Sequence, residues 1–141
     1  MPKHIINLVI TLLFLSQQLL ADQNGVKITP QNQKEHNLTF NLSIQEIGDF
    51  YQFEFETSKE GVLEKLAQID LVIYEKDKVL LRVPLEQHSL FPNKQKPSVH
   101  FIFAKNFLKG AVLDLRTING TQEWDYMLQL ATFPQQEPPK K

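Results

Sequence analysis

The clearest signal in the chain is a run of strict alternation between apolar and polar residues. Leu38, Phe40, Leu42 and Ile44 alternate with Asn37, Thr39, Asn41, Ser43 and Gln45, the two-residue period of a half-buried strand. After Gly48-Asp49 the alternation resumes, with Tyr51, Phe53 and Phe55 against Gln52, Glu54 and Glu56. If Gly48-Asp49 is a two-residue turn, with glycine supplying the positive φ, Ile44 faces Phe53, Leu42 faces Phe55 and Phe40 faces Thr57. Both apolar sets then lie on one face, as a correct register requires.

Asn119-Gly120 is a second hairpin signal, since a type I′ turn needs positive φ at both positions. A turn there predicts Leu115 opposite Trp124, Leu113 opposite Tyr126 and Ala111 opposite Leu128. It also sets Arg116 against Glu123 and Asp114 against Asp125. On this reading Trp124 belongs to the core. A third pair, Ile69–Tyr74 and Val79–Leu85, flanks polar Glu75-Lys76-Asp77-Lys78. Both of its faces are apolar apart from Asp70 and Arg82, which predicts strands buried on both sides or a second face awaiting a partner. Val99–Phe103 adds a short strand, and Val26–Ile28 a shorter one.

Helical signal is confined to 59–68, where Gly61 sits badly, and to Lys105–Gly110, a turn that Gly110 can close with a left-handed exit. Short strands at this spacing predict an all-β fold: an antiparallel β-sandwich, immunoglobulin-like, with about seven or eight strands and at most one short helix. A small closed barrel is the alternative.

The N-terminus stands apart from this pattern. A basic start, Lys3-His4, leads into apolar Ile5–Leu15, then Ser16-Gln17-Gln18 and Leu19-Leu20-Ala21 before Asp22. This is the build of a secretory signal peptide, too short in its apolar run to span a bilayer as a helix. Leu19 stands where cleavage sites favour a small residue, so an uncleaved membrane anchor is the competing reading. The expected organisation is a signal peptide at 1–21, an extended lead-in at 22–36, the sandwich at 37–133 and a Pro/Gln/Lys-rich disordered tail at 134–141. The mature protein is expected in the periplasm or outside the cell, without a stable membrane span once cleaved.

Composition narrows the chemistry. The 141 residues include no cysteine, which removes thiolate metal sites, cysteine nucleophiles and disulfides from consideration. A net charge of -1 supplies no field for gathering nucleic acid. His36, His88 and His100 have no metal-ligand spacing, and no G-x-S-x-G elbow surrounds Ser43, Ser58, Ser89 or Ser98. Glu54 and Glu56 project from one strand face opposite Ser43 and Asn41, and read as a solvated surface in preference to an acid–base pair. No catalytic residue, cofactor or metal is therefore expected.

Two features point to binding. The stretch from Glu86 to Ser98 is long for a connection in a compact domain, and carries Leu90 and Phe91 beside Lys94 and Lys96. These two apolar residues form an exposed tip or fold back onto the open end of the sandwich. At the first hairpin's tip, parity places Ile47 and Phe50 on the polar face, exposed or covered by the lead-in. The expected function is an exported, non-catalytic module that binds a protein, peptide or surface polymer. The alternatives are a carrier of a small apolar ligand, with Trp124 and Tyr126 lining an opening between sheets, and an enzyme using His36, His88 or His100 with Glu54 and Glu56.

Overall fold

The computed structural model describes residues 25–58, 60–86 and 98–136. They form eight strands: β1 (Gly25–Ile28), β2 (Phe40–Ile47), β3 (Phe50–Thr57), β4 (Leu66–Glu75), β5 (Lys78–Pro84), β6 (Ser98–Ala104), β7 (Ala111–Asn119) and β8 (Gln122–Gln129). Three 3-10 turns, Gly61–Lys65, Lys105–Gly110 and Leu130–Thr132, complete the regular structure. A five-stranded sheet ordered β1-β8-β7-β4-β5 packs on a three-stranded sheet ordered β2-β3-β6. The all-β sandwich expected from the alternation is thus present. Pairing is antiparallel throughout except between β1 and β8, which run parallel.

The first hairpin has the expected register, with Ile44 opposite Phe53, Leu42 opposite Phe55 and Phe40 opposite Thr57. Gly48 carries the positive φ of its turn. Inward-facing Phe53 stacks on Phe101 and Phe103 of β6, with ring centroids 4.8 and 4.5 Å away. Fully buried Ile28, Leu113, Leu115 and Leu128 complete this part of the core from the larger sheet. Stacked aromatics and leucines fill the space between the sheets, so hydrophobic burial is the main force joining them.

The second hairpin corrects the sequence reading. Its turn residues are Gly120 and Thr121, so Leu115 faces Tyr126, Leu113 faces Leu128, and Trp124 faces Thr117. Gly120 has positive φ, while Asn119 does not, which suits a turn with glycine at its first central position. The shift of two residues keeps every side chain on its expected face. It also places Arg116 opposite Asp125, with Nε 3.0 Å from Oδ1, and removes the Asp114–Asp125 opposition. Trp124 moves beyond the end of the core and is 45% exposed. It is not a core residue.

The third hairpin corrects a further expectation. β4 is buried on both faces from Ile69 to Ile73, yet every residue of β5 is exposed. Leu81 and Val83 lie opposite Ile73 and Leu71, on the core-facing side, but the smaller sheet does not extend far enough to cover them. Lys76 and Asp77 both adopt positive φ in the turn. A bulge then leaves Leu80 without a partner in β4.

Gly110 does not make the left-handed exit expected of it, since its φ is not positive. It is required by close approach instead: a Cβ there would stand 2.0 Å from the Tyr74 carbonyl oxygen. At the C-terminal end, Gln136 pairs with the edge of β2 through Gln136 N–H to Ile44 O at 2.8 Å. The first residues of the expected tail therefore dock on the sandwich.

Candidate functional site

Each sheet presents one outer face, and the polar chemistry gathers there. On the smaller sheet, rows of residues run across β2, β3 and β6: Asn41, Glu56 and Ser98; Ser43, Glu54 and His100; Gln45, Gln52 and Ile102; Ile47, Phe50 and Ala104. Glu54, Glu56, Ser43 and Asn41 line a recess of about 550 Å³ that Pro30, Phe133 and Gln136 also border. His100 Nε2 lies 3.8 Å from Glu54 Oε1, with both side chains well exposed. Ser43 and His100 are on opposite sides of β3, hence about 10 Å apart at two strand spacings. That distance separates a nucleophile from a base by far more than a hydrogen bond.

At the corner of the same face, Ile47 and Phe50 are cross-strand neighbours and both are exposed. Ile102, the most exposed of the large apolar residues at 62%, is the diagonal neighbour of Phe50, within side-chain reach. The described part of the lead-in, 25–36, does not cover this corner. Behind it, Lys105 Nζ pairs with Glu46 and the Lys105 N–H donates to the Asp49 carbonyl, which ties the end of β6 to the first hairpin. The sequence placed Ile47 and Phe50 here correctly. It missed Ile102, although parity with His100 assigns it to the same outer face.

The larger sheet holds an arrangement that the sequence showed only as interruptions. Asp70 and Asp114 are cross-strand partners on β4 and β7, 4% and 5% exposed, on the outer face beside buried Val72 and Val112. Arg82 of β5 reaches over both: its Nη1 is 2.6 Å from Asp70 Oδ2 and 2.9 Å from Asp114 Oδ2. Gln68 Nε2 donates to Asp70 Oδ1 at 2.7 Å. Burial raises the Asp114 carboxyl above the usual aspartate range, against the lowering effect of Arg82. Its Oδ1 is buried without a hydrogen-bond partner.

The cluster clamps three strands together, and its wall belongs to a basin of about 670 Å³ that Tyr74, Lys109, Asp125 and Met127 also line. Three charged residues, each interrupting an otherwise apolar strand, were the available signal. Buried charges of opposite sign are found paired.

Leu90, Phe91, Lys94, Lys96, His88 and Ser89 lie outside the described residues. His36 is half-buried in the turn region before β2, on a different element from His100. Among the described residues no group of three His, Asp or Glu side chains is placed to hold a metal ion. No described helix is long and apolar enough to cross a membrane. Trp124 lies opposite Thr117 and is exposed, while Tyr126 lies opposite fully buried Leu115. No protein-family model, curated protein or solved structure matches the chain.

Proposed function

We propose that the protein is an exported, non-catalytic binding module that contacts a protein partner through the corner formed by Ile47, Phe50 and Ile102. The observation that carries this reading is the grouping itself. Three large apolar side chains, from the β2–β3 hairpin and from β6, share one corner of an otherwise polar sheet face. Exposed apolar residues scattered singly need no explanation, whereas a contiguous group rimmed by polar residues marks a contact surface. Phe50 is the natural anchor, since aromatic residues dominate the centres of interfaces.

The signal peptide read at 1–21 supports export. The separation of Ser43 from His100 favours binding over hydrolysis on this face. The immunoglobulin-like refinement of the sandwich rests on strand order: three hairpins, β2–β3, β4–β5 and β7–β8, with the chain changing sheets after β1, β3, β5 and β6. Such sandwiches host many functions, so the contact corner carries the proposal more than the architecture does.

A photo-crosslinking residue at position 50, introduced into the native host, tests it. The expected result is one dominant protein adduct in the exported fraction, lost in Ile47→Lys and Ile102→Lys variants whose melting temperatures match the parent. Adducts no more specific than those from a control at exposed Glu64 would overturn it. The intact mass of the exported form, expected to begin at Asp22, tests the compartment.

A further inference from the structure

We infer that the basin on the outer face of the larger sheet binds a small amino carboxylate. Asp114 Oδ1 takes the ammonium group, Lys27 takes the carboxylate, and Met127 supports the alkyl chain between them. This face is on the other sheet from the Ile47–Phe50–Ile102 corner, and either proposal can fail without the other.

The strand register builds the site. One cross-strand row runs Lys27, Met127, Asp114, Asp70 across β1, β8, β7 and β4. Side chains in such a row share a face, so Lys27 and Asp114 flank Met127, with Cα atoms two strand spacings, about 10 Å, apart. Half-buried Tyr74 and buried Val112 add apolar surface to the basin. Its volume of about 670 Å³ lies in the range of small-molecule sites, about 300–1,000 Å³.

An unmatched acceptor selects the first group. The Asp114 side chain is only 6% exposed, and among the described residues its Oδ1 has no hydrogen-bond partner. A single guanidinium nitrogen, Arg82 Nη1, serves the Oδ2 atoms of both Asp70 and Asp114, while Arg116 is taken by Asp125. Arg82 reaches in from the β5 side, which leaves Oδ1 turned toward β8 and the basin, with Met127 as cross-strand neighbour. Two buried carboxylates thus share one positive charge, and a buried charge without its counter-charge is costly. An ammonium group supplies both the missing charge and the missing donor, in a charge-assisted hydrogen bond. Met127, unbranched and flexible, can swing to admit it.

The charge balance selects the second group. On this face Asp70, Asp77, Asp114 and Asp125 are matched by Lys27, Arg82, Lys109 and Arg116, so no net field gathers a simple cation or anion. Exposed Lys27 forms no ion pair among the described residues. A carboxylate on the ligand meets it, whereas a bare amine is repelled by it. The alkyl chain joining the two charges is covered by Met127, which adds apolar burial to the binding.

The isotopically labelled full chain is titrated near neutral pH with 6-aminohexanoate, hexylamine and hexanoate, following the backbone amides of Lys27, Asp114 and Met127 by NMR. Expected is saturable binding of 6-aminohexanoate, at least tenfold tighter than either singly charged probe. Asp114→Asn, which keeps the side chain's shape, should weaken it at least tenfold. Lys27→Met should abolish its advantage over hexylamine, and Glu54→Gln on the other sheet should change nothing. If Asp114→Asn fails to fold, the Lys27→Met comparison, at an exposed position, decides alone.

No saturable binding of 6-aminohexanoate, equal affinity for all three probes, or binding unmoved by these two variants would overturn the inference. A Lys27→Met variant that melts lower and binds hexylamine more tightly than the parent would mean that Lys27 itself reaches Asp114. That result overturns the inference as well.

Discussion

At the scale of the residue, two aromatics at inward-facing positions of opposite sheets have opposite roles. Phe53 is fully buried between Phe101 and Phe103, whereas Trp124 stands past the end of the core beside Thr117. Phe53→Ala is expected to cost ~3–5 kcal/mol and Trp124→Ala about 1 kcal/mol or less, both read from urea denaturation. A large loss at Trp124 would mean that the hairpin pairs two residues out of the described register. Parity could not have revealed this, because a slip of two residues preserves every face.

Arg82 is the other decisive residue. Arg82→Met leaves Asp70 and Asp114 as buried neighbours without their counter-charge, at a cost near ~3 kcal/mol. This is the low end for breaking a buried pair, since the guanidinium is itself partly exposed. The sign of the pH effect follows from the direction of the Asp114 shift. Burial raises its folded-state pKa, so the folded chain holds this proton more tightly than the unfolded chain. The group's contribution to stability therefore grows as pH falls through the raised pKa toward the ordinary value, and is lost as pH rises. Removing Arg82 takes away a lowering influence on Asp114. The deficit of Arg82→Met is accordingly expected to be largest at neutral pH and to narrow as pH approaches about 4. Thermal melts of both proteins across that range check it, and a deficit constant with pH would contradict the charge argument.

At the scale of the element, the three hairpins show how much of the fold was legible and why. β2–β3 could be read in full, because its glycine turn and its strict alternation fixed the same register independently. β7–β8 could be read for face but not register. Asn119 made one turn attractive, while the Arg116–Asp125 pair and relief of the Asp114–Asp125 opposition favoured its neighbour. β4–β5 showed its turn but concealed its exposure, since apolarity on both faces describes a buried strand and an uncovered edge equally well. Of the exposed apolar corner, Ile47 and Phe50 were legible from parity. The Asp70–Arg82–Asp114 clamp required knowing that β7 lies beside β4, which no local pattern encodes.

The glycines separate local from tertiary demands within these same elements. Gly120→Ala meets open space and is expected to cost the left-handed backbone penalty alone, ~1–2 kcal/mol. Gly120→Asn should recover part of it. Gly110→Ala drives a methyl into the Tyr74 carbonyl and should cost at least the ~1–3 kcal/mol of an overpacked site. Gly110→Asn should be worse still. Opposite responses of the two sites to asparagine, measured by chemical denaturation, distinguish a conformational requirement from a spatial one.

At the scale of the whole molecule, the controlling fact is the mismatch between a sheet of five strands and a sheet of three. The smaller sheet covers β4 and stops, so neighbouring positions on one face meet different surroundings. Leu71 and Val83 are cross-strand partners, yet Leu71 is buried and Val83 lies exposed. Leu71→Ala is therefore expected to cost ~2–5 kcal/mol. Val83→Thr keeps the branched shape a strand favours and should leave monomer stability within about 0.5 kcal/mol. If Val83→Thr proved as damaging as Leu71→Ala, the overhang would be covered within the monomer. The sandwich would then have no free apolar edge.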